Sequence, residues 1–290
     1  MGRARLIVHA DDFGLSREVN EAIVLAYREG ILTSCSLMVS GEAFQDAVRL
    51  ARANPGLAVG VHLVTVLGDA VLPPATIPTL VDRRGRFSSR PTLAGLRYFF
   101  SPRARRELHL ELTAQVEKFQ ATGLPCSHLD SHLHMHVHPA IFRIVVELAE
   151  RYGVPRVRLP RDSLGLALRA DRGRAVAMGT QAFIFRLLCR SMARELTARR
   201  IAFTRRVYGH LRSGRLREDY VLSVLEHLEE GVSELYLHPA LYEPADDERL
   251  DPVRRERMTE LALLTSPAVR RRLDELGIEL TSYHALKAVS

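Results

Sequence analysis

Residues 126–139 read CSHLDSHLHMHVHP and hold five of the chain's twelve histidines, His128, His132, His134, His136 and His138. Near the N-terminus, VHADDFG sets two carboxylates, Asp11 and Asp12, side by side. Imidazole and carboxylate are common ligands for a divalent metal. One Asp with two His leaves a coordination position for water, as in hydrolytic metal centres. In an extended segment alternate side chains share a face, so His128, Asp130 and His132 point the same way. Pro139 suits the first position of a helix, so the strand is expected to stop near His132. His134, His136 and His138 then fall in a rim loop. Ionisable groups on apolar strands are costly when buried alone, so they need a metal or each other.

The elements that would position these groups alternate between strand and helix patterns. RLIVHAD is an apolar run with β-branched residues, followed by Ser16, a good helix cap. Residues 17–29 place Val19, Ile23 and Ala26 on one helical face before Gly30. Strand-like 34–40, helix-like 43–53 and strand-like 57–63 come next. A loop rich in Pro and Gly runs from about 68 to 91, and helical periodicity covers 103–121. After the histidine strand come a helix over 139–152 and a short strand, VPRVRLP, over 154–160. Residues 233–240, 250–264, 267–276 and 279–286 read as strand, helix, helix and strand. About seven such units predict an α/β fold, a parallel sheet with helical crossovers closed as a (β/α) barrel. An open doubly wound sheet is the alternative, and the lack of a GxGxxG motif argues against a dinucleotide fold. The chain reads as one domain over 1–290, with a basic, helical insertion at about 163–217.

In such folds functional groups collect at the carboxyl edge of the sheet. Asp11 and Asp12 end the first strand, His62 the third, and His128, Asp130 and His132 lie on the histidine strand. Arg158 and His238 follow at later strand ends.

The 290 residues are 47% hydrophobic and 26% charged, enough for a full core. Cys35, Cys126 and Cys189 are odd in number and far apart, which fits a reducing compartment and no disulfide framework. No apolar run is long enough to span a bilayer, and the N-terminus lacks the pattern of a secretory leader. A cytoplasmic location is expected, with peripheral contact on the inner membrane face as an option. The net charge of +7 favours an acidic partner surface. Composition leaves that partner as either nucleic acid or anionic lipid, and the oligomeric state is open.

Taken together, VHADDFGLS at 8–16, GVHL at 60–63 and HLDSHLHMH at 128–136 resemble the YdjC-like carbohydrate deacetylases. EGILTSCSLMVSG at 29–41, VLPP at 71–74 and SELYLHPA at 233–240 are most similar to the hopanoid biosynthesis-associated members of that family. The resemblance is weakest over about 163–205. It implies an incomplete (β/α) barrel and one divalent metal, with Zn2+ first and Mg2+ as the alternative. It also implies ligands at Asp12, His62 and His132, a catalytic base at Asp11 and a general acid at His238. Leu133 stands where some relatives carry another histidine. Asp130 would fix the tautomer of a ligand imidazole and Arg158 would orient Asp11, while His128 and His134 fall to supporting or substrate-binding roles. The implied reaction is removal of the N-acetyl group from an amino sugar, on a glycolipid of the hopanoid class. Only with this resemblance does nucleic acid become the unlikely partner. A soluble chitooligosaccharide or a phosphate ester is the alternative substrate.

Residues 178–200 read as a helix with Ile184, Leu188 and Met192 four apart and an arginine stripe of Arg186, Arg190 and Arg194. RYFFSPRARR at 97–106 again pairs aromatics with arginines. Either segment could lie in a membrane interface, and the competing expectation for the helix is packing on the barrel with solvated arginines.

Overall fold

The computed structural model describes residues 3–171, 173–242 and 252–287. Its centre is β1 (Ala4–Phe13), buried from Leu6 onward. It is joined by β2 (Ser34–Leu37), β3 (Ala58–Leu63), β4 (Cys126–Ser131), β5 (Val207–Tyr208), β6 (Gly231–Leu237) and β7 (Glu279–Thr281). The order is β4–β3–β2–β1–β6–β5, with β7 paired to the start of β1, and every one of these pairings is parallel. Strands covered on both faces carry continuous apolar runs instead of alternation, as β1 and β3 do.

The crossovers are helical: α1 (Arg17–Arg28), α2 (Phe44–Ala53), α3 (Pro91–Phe100), α4 (Pro102–Gln120) and α5 (Pro139–Arg151) in the first half. The second half adds α6 (Leu164–Ala170), α7 (Ala175–Ala198), α8 (Glu218–Glu226), α9 (Pro252–Leu264) and α10 (Pro267–Glu275). Ser16 caps α1 through a hydrogen bond from Val19 N. A proline opens α3, α4, α5 and α10, where its missing N–H is no loss.

The sheet curls but does not close by strand pairing. Residues 154–161 fill the gap between β4 and β5. Leu129 N donates to Arg156 O, Val157 N to Ala202 O and Val207 N to Arg161 O, at 3.0, 3.0 and 3.1 Å. This segment was expected as a strand. It forms isolated bridges instead, because Pro155 and Pro160 remove two of the donors a ladder needs. The result is an α/β fold, an incomplete (β/α) barrel.

Other departures are local. A helix already forms at Pro91, inside the stretch expected to end a loop. β5 lies within 163–217, so that segment contributes a strand to the sheet as well as helices. The last strand stops at Thr281 and a 3-10 turn takes over at Tyr283. Of the helix expected over 250–264, residues 250 and 251 lie outside the described residues.

Candidate active site

Consecutive strand residues point to opposite faces, so Asp11 and Asp12 on a regular β1 could not share a pocket. Asp12 solves this with φ of 68°, in the left-handed region, where the register between β1 and β2 also shifts. A non-glycine residue held there stores strain, a feature common at functional sites. Gly14 completes the turn at φ 91°, and a Cβ added to it would stand 2.9 Å from Met38 O.

Asp12 Oδ1 lies 3.1 Å from His132 Nδ1 and 3.5 Å from His62 Nε2, and the three ligand atoms lie within 4.8 Å of one another. Four ligands at about 2.1 Å around a tetrahedral ion stand roughly 3.4 Å apart, and the two sides that meet at Asp12 match that spacing. The outer member of this triangle, His132, has a side chain 16% exposed, which opens it to solvent and substrate. Behind His62, Nδ1 meets Asp130 Oδ1 at 2.8 Å and Ser36 Oγ at 2.9 Å, leaving Nε2 facing Asp12. Burial opposes charge on Asp12, yet His132 and Arg257 hold its carboxyl well below the usual range. Burial likewise opposes charge on His62, but Asp130 and Asp11 draw it up to about 9. The site attracts positive charge.

Two further donor sets are close enough to hold an ion, His9 with His128 and Asp130, and Asp11 with His62 and Asp130. Both include a carboxylate already bound to the guanidinium of Arg158. Arg158, fully buried, donates to Asp11 through Nη1 and Nη2 at 3.0 and 2.8 Å. It also meets Asp130 and Glu234 at 2.7 Å. Both of those sets are fully buried, whereas Asp12, His62 and His132 reach solvent through His132. Asp12 also meets a guanidinium, that of Arg257, but through Oδ2, which leaves Oδ1 facing the two imidazoles, so this set fits a metal open to substrate best.

His238 follows β6 and reaches within 3.9 Å of Asp11 Oδ2. Its backbone N–H donates to Glu260, whose carboxylate also lies 3.6 Å from Nδ1. Burial works against protonation, but Glu260, Asp12 and Asp11 together raise the imidazole above its ordinary value. The centre therefore brings two acids, a cluster of imidazoles and a partly exposed histidine of raised pKa to one mouth.

The remaining histidines of 126–139 divide by depth. His128 stacks flat on Tyr283, ring centroids 3.7 Å apart, with Nδ1 2.8 Å from Ser127 Oγ. His132 begins a 3-10 turn over His132–Val137 in which Leu133 and His134 adopt φ near 53°. That turn leaves Leu133 half exposed and buries His134, whose Nε2 meets Tyr236 OH at 3.0 Å. His136 bridges Ser131 Oγ and Arg158 O. His138 caps α5 by accepting from Ala140 N. Of these five, only His132 joins the candidate metal triangle.

Several residues at the site were not singled out in the sequence. His9 sits between Ser36 Oγ (3.2 Å) and Asp11 Oδ1 (3.3 Å). Glu234 accepts from Arg158 and from Tyr283. A lone acid amid the apolar residues of β6 was a readable signal. Arg257 Nη2 lies 2.5 Å from Asp12 Oδ2, and nothing in α9 marks Arg257 out from its neighbouring arginines.

A model of the YdjC-like protein family matches residues 5–275. A carbohydrate deacetylase of Geobacillus stearothermophilus is 33% identical over 279 residues, covering 96% of both chains. One from Vibrio parahaemolyticus is 32% identical over 99% of this chain and 98% of its own. One from Brevibacillus brevis is 48% identical over 54% of this chain and 59% of that protein. Among solved structures, one from Enterococcus faecalis V583, assigned provisionally to cellobiose-phosphate cleavage, has a TM-score of 0.73 at 24% identity and covers 98% of both chains. That likeness is one of fold. With the family match running through nearly every element that carries the site, this chain belongs to the YdjC-like proteins.

Proposed function

We propose that this protein removes the acetyl group from an N-acetylated amino sugar, with a divalent metal held by Asp12, His62 and His132. As a member of its family it is a carbohydrate deacetylase, a hydrolase of acetyl groups. The observation that carries the finer reading is the different surroundings of two adjacent carboxylates. Asp12 faces the two imidazoles, whereas Asp11 is clamped by Arg158 and faces His238.

A divalent cation bound at the triangle supplies Lewis acidity, acidifying water and polarising a carbonyl. Asp11, fixed in plane by Arg158, takes the proton of the attacking water. Asp130 holds Nδ1 of His62, so that Nε2 faces inward. His238, with Glu260 at its back, gives a proton to the departing amine, which leaves poorly as an anion. His128 stands 3.6 Å from Asp130 and His134 bonds the Tyr236 hydroxyl, in supporting positions. Zn2+ suits the donor set of two nitrogens and one oxygen, and Mg2+ is the second choice.

The acceptor in this reading is an N-acetylglucosaminyl lipid of the hopanoid class, supported by the motifs at 29–41, 71–74 and 233–240. The test is acetate release from such a glycolipid, from soluble diacetylchitobiose and from a phosphate ester, with elemental analysis of the same protein. Release from the lipid supports the reading. Release from the soluble sugar alone moves the acceptor to chitooligosaccharides, and phosphate release without acetate overturns deacetylation.

A further inference from the structure

Between α7 and the segments 161–164 and 206–211 lies a cavity of about 910 Å3 that the proposed chemistry does not use. Arg186, Arg190 and Arg194 line it from α7, with Arg161 and Arg206 on the opposite side. The three on α7 are four residues apart, so each stands above the next on one helical face, where like charges repel. Among the described residues, no side-chain hydrogen bond or ion pair holds any of the three. Arg161 Nε is buried without a partner. The single carboxylate of the lining, Asp162, is turned to the backbone, accepting from Ser163 N at 2.6 Å and Leu211 N at 2.8 Å.

The rest of the lining includes Leu164, Phe183 and Phe185. Phe183, Ile184 and Leu187 are 62%, 48% and 56% exposed and form an apolar lip beside the arginines. An inorganic anion would satisfy the arginines and leave that lip in water. A neutral lipid would cover the lip and leave the arginines unpaired. An anionic phospholipid fits both, its phosphate against guanidinium forks and its acyl chains against the lip.

The cavity also adjoins the active site. His210 on its floor packs on His134, ring centroids 4.7 Å apart, and His134 bonds Tyr236, whose ring is 5.4 Å from His238. A second exposed apolar group on α3, with Phe99 and Phe100, reaches the other end of the His132–Val137 turn, Phe99 standing 6.2 Å from His138. We infer that the arginine cavity is a headgroup site for an anionic phospholipid and that it seats α7 in the membrane interface with the catalytic mouth beside it. This deepens the lipid-linked acceptor proposed above, while the binding itself requires no turnover.

The test is flotation with phosphatidylcholine vesicles, with and without one part in four of phosphatidylglycerol. Wild type is expected to float with the anionic vesicles only. The triple variant Arg186→Gln, Arg190→Gln, Arg194→Gln should bind them about a hundredfold more weakly, at roughly fivefold per arginine. A charge-matched control, Arg49→Gln, Arg199→Gln, Arg205→Gln, should float like wild type, and Phe183→Ser with Leu187→Ser should weaken binding. Wild type remaining unbound, or equal loss in both triple variants, overturns the inference. So does titration of inorganic phosphate at the cavity without vesicle binding, which would make it a free-anion site. Acetate release from soluble diacetylchitobiose by the same variants is read separately. Failure of the deacetylase reading therefore shows as no acetate, whatever the flotation result.

Discussion

Asp11 and Asp12 are neighbours in the chain with different partners, and that contrast is testable one residue at a time. Asp12→Ala, His62→Ala and His132→Ala should each leave the protein without bound metal after dialysis, read by elemental analysis. Asp11→Asn should keep the metal and lower kcat by about 10²–10⁴. Metal lost from Asp11→Asn and kept by Asp12→Asn would reverse the two assignments. His238→Ala should also lower kcat by about 10²–10⁴ with KM little changed, since a proton donor acts in the transition state and not in ground-state binding. An effect on KM alone would make His238 a sugar-binding residue.

At the scale of elements, the site depends on how closely strands approach behind it. β3 passes β4 at Gly60, where an added Cβ would stand 2.4 Å from the His128 ring and 2.7 Å from its backbone oxygen. Alanine in a strand ordinarily gains from reduced backbone freedom, but here the overpacking cost of about 1–3 kcal/mol should win. Gly60→Ala should therefore lower the urea midpoint, and a raised midpoint would mean that β3 and β4 can part without cost. The periodicity of the first half made β1, β3, β4 and their crossover helices legible, since long apolar runs punctuated by caps are local signals. The segment 154–161 was not legible, because its Val157, Arg158 and Leu159 look like a strand while the two prolines decide otherwise.

For the whole molecule, the buried imidazoles set the response to acid. Burial, with help from the positive charge of Arg158, keeps His210 down to about 4, and burial holds His136 down to about 3. His9 and His134 are also lowered, mainly by burial. An unfolded chain takes up these protons near pH 6.5, and the folded one does so only far lower. Stability should therefore be complete at neutral pH and lost as pH falls from about 6.5 towards 4, by about 3 kcal/mol for His210 alone. His62, drawn up to about 9, acts in a different window: its contribution is full below about pH 6.5 and fades as pH rises towards 9, so it leaves the acid limb unchanged. Urea midpoints of the metal-free protein across that range check the prediction, and His210→Gln should flatten the profile. A profile already flat in wild type would mean that these rings are protonated in the folded state.

What the sequence determined by itself was the alternation of strand and helix and the residue types at the strand ends. Those types brought Asp11, Asp12, His62, Asp130, His132, Arg158 and His238 into one expected cluster, and in the structure they stand together. Parallel strands with helical crossovers bring their carboxyl ends to one edge whatever the intervening loops contain, so local pattern suffices for that much. Only the tertiary structure decided the left-handed turn that aims Asp12 beside Asp11. It also decided the irregular segment that carries Arg158, and the approach of Arg257 to a carboxylate 245 residues away. Such contacts depend on how a helix near the chain's end packs over the first strand, and no periodicity within either segment encodes that distance.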